Sequence, residues 1–272
     1  MKTSAQQYCD EKVALPSSAL YYSLRKLTSK QRNQVVAIHA FYREIEDIIL
    51  ECQDPELARI KFNWWRGEIL KLTENKSDHP VLILLQENSI HLEKIQERLL
   101  KIIDGFEQNP IFETFEEVVI HWMRTAGERE LLLNEILLNE EIISQEMIYQ
   151  CMLIIEIVNY VQHLRLYVRH DLIYFSRDEL QQFNVTQTML NEFVTTDQIK
   201  KLLQHQVEKV ERTYACLKEL SKKQRKALSH LVIRCEIARA ILREIQKSDF
   251  CVLENLIVLT PLRYGWIAFQ FS

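Results

Sequence analysis

Apolar residues recur every three or four positions along almost the whole chain, the spacing that lays one stripe down an α-helix. Between 30 and 50 the stripe is Val35, Ile38, Tyr42, Ile45 and Ile49. The next stretch carries Leu57, Ile60, Trp64, Ile69 and Leu72 behind Asp54-Pro55, a capping carboxylate followed by the residue favoured at the first helical position. His79-Pro80 opens a short segment, Ser89 is placed to cap another, and Asn109-Pro110 begins a helix expected to reach Met123. Ser144 caps a long helix expected to run to about Arg169, and Ser176 with Glu179 has capping-box spacing. Segments of roughly 195–219, 221–247 and 252–270 also read as helices. No alternating strand pattern of useful length, flexible linker or internal repeat interrupts them, so the pattern predicts one all-α domain over residues 1–272.

Composition narrows the chemistry. The 272 residues include only 4 Gly and 5 Pro, and no glycine-rich phosphate loop of either common type occurs. Leu, Ile, Glu, Lys and Gln dominate, a helix-forming mixture. A formal charge of −4 lacks the basic surplus that neutralises phosphates, so no nucleic-acid partner is expected. The cluster Lys222, Lys223, Arg225 and Lys226 reads as a solvated corner between helices, with an anionic-lipid contact as the alternative. Cys9, Cys52, Cys151, Cys216, Cys235 and Cys251 are scattered without metal-type spacing and suit free thiols in a reducing compartment. The chain opens without a basic-then-apolar signal pattern, and no stretch reaches the ~18–20 apolar residues of a membrane span. The nearest, Leu256 to Phe271, is interrupted by Pro261 and Arg263. The expectation is a cytoplasmic protein with at most a peripheral membrane contact.

Two helical stretches carry the most informative residues. The first is Arg43-Glu44-Ile45-Glu46-Asp47-Ile48-Ile49-Leu50-Glu51, the second Asn159-Tyr160-Val161-Gln162-His163-Leu164-Arg165-Leu166-Tyr167. Residues four apart share a helix face, so 46 and 50 point one way, as do 163 and 167. Carboxylates at such positions are the hard oxygen ligands that magnesium requires. With Ser18-Ala-Leu-Tyr21-Tyr22-Ser23, Ala40-Phe41-Tyr42-Arg43, Trp64-Trp65-Arg66, His79-Pro80, Arg124-Thr-Ala126-Gly127, Ile173-Tyr174, Asp178-Glu179-Leu180 and Thr260-Pro261-Leu262-Arg263, the chain resembles the squalene/phytoene synthase family over nearly its whole length. The resemblance implies a single-domain isoprenoid-synthase-type helical bundle around a central cavity. It also implies two facing aspartate-rich motifs and magnesium-dependent condensation of two prenyl diphosphates. Tyr21, Tyr22, Phe41 and Trp64 are the implied cavity-lining residues, with ordinary core packing as their alternative.

The same resemblance implies that the chemistry is eroded. Glu46 and Asp47 stand at the first two aspartates of the first motif, and Leu50 at its last. His163 and Tyr167 stand at the aspartates of the second, and Gln162 at its usual arginine. Asp171-Leu172 replaces a Gly-Arg pair and Ser176 a proline. Leucine cannot ligate a metal, and neutral histidine and tyrosine are poor partners for magnesium. The lost arginines would have clamped phosphate. Arg43, Glu46, Asp47, Leu50, Asn159, Gln162, His163 and Tyr167 are therefore vestigial positions with no assigned catalytic role. If any metal ligands survive they are Glu46 and Asp47, although an Arg43–Asp47 ion pair at four-residue spacing is the simpler use. His163 with Glu46 is a candidate transition-metal or general-base pair, or a hydrogen-bonded remnant in a filled cavity. The expected function is a synthase-like protein inactive in condensation, acting as a scaffold or assembly-type protein or binding a lipid. An active prenyltransferase using Glu46, Asp47 and Glu51 is the alternative. No cofactor is expected, magnesium only under that alternative. An isoprenoid or other lipid and a protein are the candidate partners. Tyr264 to Phe269 is the candidate exposed patch, or else the last core helix.

Overall fold

The computed structural model describes residues 4–16, 18–52, 54–89, 91–108, 111–138 and 143–271. Every regular element among them is helical. The chain forms two compact units, one of residues 1–109 and 123–142, the other of 110–122 and 143–272.

In the first unit, α1 (Ala5–Val13) and the short α2 (Ala19–Ser23) lead into α3 (Ser29–Glu51), a 23-residue helix. Thr28 and Gln31 form a reciprocal capping box at its start. From Gln34 to Tyr42 every residue of α3 is buried, because α1, α5, α6 and α8 pack around it. The single stripe read from the sequence is thus a helix sheathed on all sides. α4 (Pro55–Leu70) begins at Asp54-Pro55 as expected, the Asp54 carboxylate accepting the Glu56 amide at 2.9 Å. Its buried face differs from the expected one. Phe62, Trp65 and Ile69 point inward, while Leu57, Ile60 and Trp64 stay exposed.

α5 (Pro80–Asn88) starts at His79, whose ring accepts the Val81 amide. Ser89 ends α5 rather than capping the next helix; its hydroxyl accepts from Gln34, and α6 (Leu92–Glu107) starts after His91. The expected start at Asn109-Pro110 lies outside the described residues. The chain there enters the second unit with α7 (Phe115–Trp122), then returns through a π-helical turn at Met123–Gly127 into α8 (Glu128–Leu137).

The second unit continues with α9 (Gln145–Gln162), α10 (Leu164–Arg169), α11 (Arg177–Gln182), α12 (Gln187–Asn191), α13 (Asp197–Tyr214), α14 (Lys222–Ala227), α15 (Ser229–Lys247) and α16 (Pro261–Gln270). Its core is α9 packed against α13 and α15. Ser144 caps α9 as the sequence suggests, but the helix breaks at His163 instead of running unbroken to Arg169. The Ser176–Glu179 capping box forms. Residues 252–260 are not helical; Pro261 is the first residue of α16, its ring suiting a position where the amide would be unpaired anyway. α16 buries Tyr264, Ile267 and Ala268 and exposes Leu262, Trp266 and Phe269, so the C-terminal stretch is core on one face and patch on the other. α14 buries nothing, and Arg225 turns back to the Leu220 carbonyl. All six cysteines are free thiols. Among the described residues no helix is long and apolar enough to cross a membrane.

Candidate functional site

The first motif occupies the last two turns of α3. Asp47 is gripped from both sides: the Arg43 Nε lies 2.8 Å from its Oδ1, and the Lys12 Nζ from α1 lies 2.8 Å from its Oδ2. Arg43 also donates to Glu46 at 2.8 Å, and Lys12 reaches Glu44 at 2.9 Å. Tyr8 donates its hydroxyl to the same Glu44 oxygen at 2.5 Å. Burial penalises the Lys12 ammonium, but the hydrogen bonds to Asp47 and Glu44 outweigh it and hold its pKa above the ordinary lysine value. Burial, then the bond to Glu44, pushes the Tyr8 phenol up to about 12. Leu50, one turn further on, is sealed in the core. The i,i+4 pair of Arg43 with Asp47 was legible from spacing; Lys12 and Tyr8 were not, because only the packing of α1 against α3 brings them there.

Of these charges Lys12, Glu44 and Asp47 line an open cleft of about 390 Å³, together with Ile48, Glu51, Ile60, Lys61, Trp64 and Trp65. Trp64 is 51% exposed, while Phe41 is fully buried with its ring edge-on to Trp65 at 5.3 Å. Tyr22 is buried and Tyr21 partly exposed, their rings meeting at 5.1 Å. His79 completes the aromatic cluster, 4.5 Å from the Trp65 ring centre and 5.6 Å from Tyr8. Burial holds its imidazole below the ordinary value.

In the second unit each motif position has a packing or hydrogen-bonding role. His163 ends α9, and its Nδ1 lies 3.0 Å from the Asn159 carbonyl. Gln162 donates to the Ile257 carbonyl at 2.6 Å, fastening the non-helical segment before α16. Tyr167 is buried, its ring 5.4 Å from Tyr160 and 5.7 Å from Tyr174. Tyr160, itself buried, accepts the Tyr174 amide at 3.1 Å. Asp171 adopts a left-handed backbone, φ 54°, at the position where the resemblance places a glycine. Leu172, where it places an arginine, is a buried apolar side chain. Ser176 caps α11, and Glu179 of that cap also accepts from Gln206 at 2.6 Å and pairs with Lys209.

Among the described residues no group of three or more His, Cys, Asp or Glu side chains is placed to share a metal ion.

No curated protein matches the chain. Solved structures share its fold at low identity, among them the following three. A dehydrosqualene synthase in complex with ligand is 17% identical with a TM-score of 0.75, the match covering 98% of this chain and 95% of that one. Squalene synthase HpnC from Alicyclobacillus acidocaldarius is 16% identical, TM-score 0.68, covering 90% and 94%. YisP from Bacillus subtilis subsp. subtilis strain 168 is 17% identical, TM-score 0.65, covering 97% and 94%. At such identities the structures establish the helical fold, and the sequence itself goes further. The squalene/phytoene synthase family model matches residues 13–263, nearly the whole chain, and the protein belongs to that family.

Proposed function

We propose that this protein keeps the squalene/phytoene synthase fold without magnesium-dependent condensation of prenyl diphosphates. It serves instead as a scaffold or assembly-type protein, or as a binder of an isoprenoid or other lipid. The observation that carries the reading is the Asp47 carboxylate, whose two oxygens are each held by a cation at 2.8 Å. A magnesium ion needs several hard oxygen donors in near-octahedral array. Here the strongest remaining candidate is neutralised by Lys12 and Arg43, Glu46 is bound to Arg43, and Leu50 is core. The residues present therefore do not fit the family's metal. The second motif supports the same reading, since Gln162 and Tyr167 hold neighbouring segments together.

The test is calorimetric titration of farnesyl diphosphate into the purified protein with and without magnesium, followed by extraction for condensed products. The reading expects no magnesium-dependent binding and no product. Binding without magnesium assigns the lipid-binding role, and no binding assigns the scaffold role. Magnesium-dependent binding with a condensed product would overturn the proposal and return Glu46, Asp47 and Glu51 to catalysis.

A further inference from the structure

A second cleft, of about 410 Å³, lies wholly within the first unit, beside the start of α3, the end of α5 and the start of α6. Thr28 at the head of α3 and Asp47 near its end are separated by roughly 28 Å of helix, so the cleft is remote from the first motif. Its charge balance is unlike that motif's. Lys30 and Lys94 both line it, and among the described residues neither has an ion-pair partner. The acid on its lining, Glu135, shares Arg98 with Glu128, at 2.5 and 2.6 Å, so two cations face one partly matched carboxylate. The cleft therefore presents two unmatched ammonium groups in a protein whose net charge is −4.

The polar part of the lining is rich in donors. Gln34, 8% exposed, gives its amide to the Ser89 oxygen at 3.2 Å, and a serine oxygen that accepts retains its own hydroxyl proton to donate. His91 also lines the cleft, and it makes no side-chain cap to the first amides of α6. The apolar part of the lining is formed by Ile95, Leu132 and Ile136. A few polar groups beside an apolar lining in a recess of a few hundred Å³ is the composition of a small-molecule site.

We propose that this cleft binds a phosphate monoester whose ester group carries an apolar portion next to the phosphate. The phosphate sits between Lys30 and Lys94 with Ser89 donating to it, and the organic group lies against Ile95, Leu132 and Ile136. A carboxylate would use the same cations, but the three oxygens of a phosphate match two ammonium groups and a hydroxyl donor together. A soluble phosphoester and a phosphatidate headgroup share this chemistry.

Phenyl phosphate and inorganic phosphate are titrated into the full chain by calorimetry, and phosphatidate vesicles are tested by co-sedimentation. Saturable binding of phenyl phosphate, several-fold tighter than inorganic phosphate and weakened at least tenfold in Lys30→Gln/Lys94→Gln, supports a soluble ligand. Vesicle binding alone with the same sensitivity supports a lipid headgroup. The control is Lys222→Gln/Lys223→Gln on α14, which removes the same charge elsewhere. Equal weakening in the control would reduce the effect to general charge and overturn the proposal, as would absence of binding to every probe. Both lysines are exposed and unpaired, so an unchanged urea midpoint is expected for the double variant.

Discussion

Each oxygen of the Asp47 carboxylate has a cation against it, Lys12 on one side and Arg43 on the other. A metal ion at this position would have to displace both cations from the carboxylate, Lys12 then relying on Glu44 and Arg43 on Glu46. His79, in the same cluster, makes the residue scale measurable through pH. Burial disfavours its charged form, and the Lys12 charge adds to this, while Glu44 and Glu68 act in the opposite direction; the net shift is downward. Its Nδ1 also accepts the Val81 amide, which a protonated ring could not do. The unfolded chain takes up a proton at this residue near about 6.5, the folded protein only at lower pH. Between those values the unfolded state binds more protons, so the stability from neutral His79 is present above about 6.5 and lost as pH falls through the window. The urea midpoint should therefore drop as pH falls below about 6.5. His79→Asn, which keeps a capping side chain, should flatten that drop while lowering the baseline through lost ring packing. An identical pH slope in the variant would refute the assignment. Arg43–Asp47 could be read from four-residue spacing in the chain; the roles of Lys12, Tyr8 and His79 could not, because none lies near Asp47 in sequence.

At the scale of elements, two glycines separate helix propensity from packing. A Cβ built on Gly105 of α6 would lie 2.6 Å from the Arg124 carbonyl oxygen in the π-helical turn, so α6 and that turn meet through a contact only glycine permits. Gly67, exposed on α4, would meet nothing within 4 Å. Gly105→Ala should cost about 1–3 kcal/mol, and Gly67→Ala should gain about 0.5–1 kcal/mol by restricting the unfolded chain. Urea denaturation of the two variants checks the pair; stabilisation by Gly105→Ala would mean that the close approach is absent. Caps at Asp54, Ser144 and Ser176, and the helix start at His79-Pro80, were legible because such features are decided within three or four residues. Ser89 misled because its hydroxyl is taken by Gln34 of another helix. The inward face of α4 misled because Phe62 and Trp65, rather than Ile60 and Trp64, are turned toward the core.

Over the whole molecule, the chain passes from one compact unit to the other at 109/110, 122/123 and 142/143. The second unit consequently depends on residues far upstream. His121, Phe112 and Trp122 approach the Tyr174 ring at 5.6, 5.8 and 5.9 Å, and the amides of Arg177 and Asp178 donate to the carbonyls of Phe112 and Glu113. A fragment of residues 143–272 lacks all of these. It should be helical by circular dichroism yet melt without a sharp transition, and a cooperative melt would show that residues 110–122 are dispensable. The sequence by itself determined the helical class, most helix starts and the family, because periodicity, caps and residue identities are carried by the chain itself. Only the tertiary structure decided what these side chains meet: Lys12 on Asp47, Gln162 on the Ile257 carbonyl, Tyr167 among buried rings, Leu172 in the core. Those partners are distant in the chain, and which of them meets a given side chain is set by how helices pack, a choice made by mutual burial and charge pairing that no local pattern encodes.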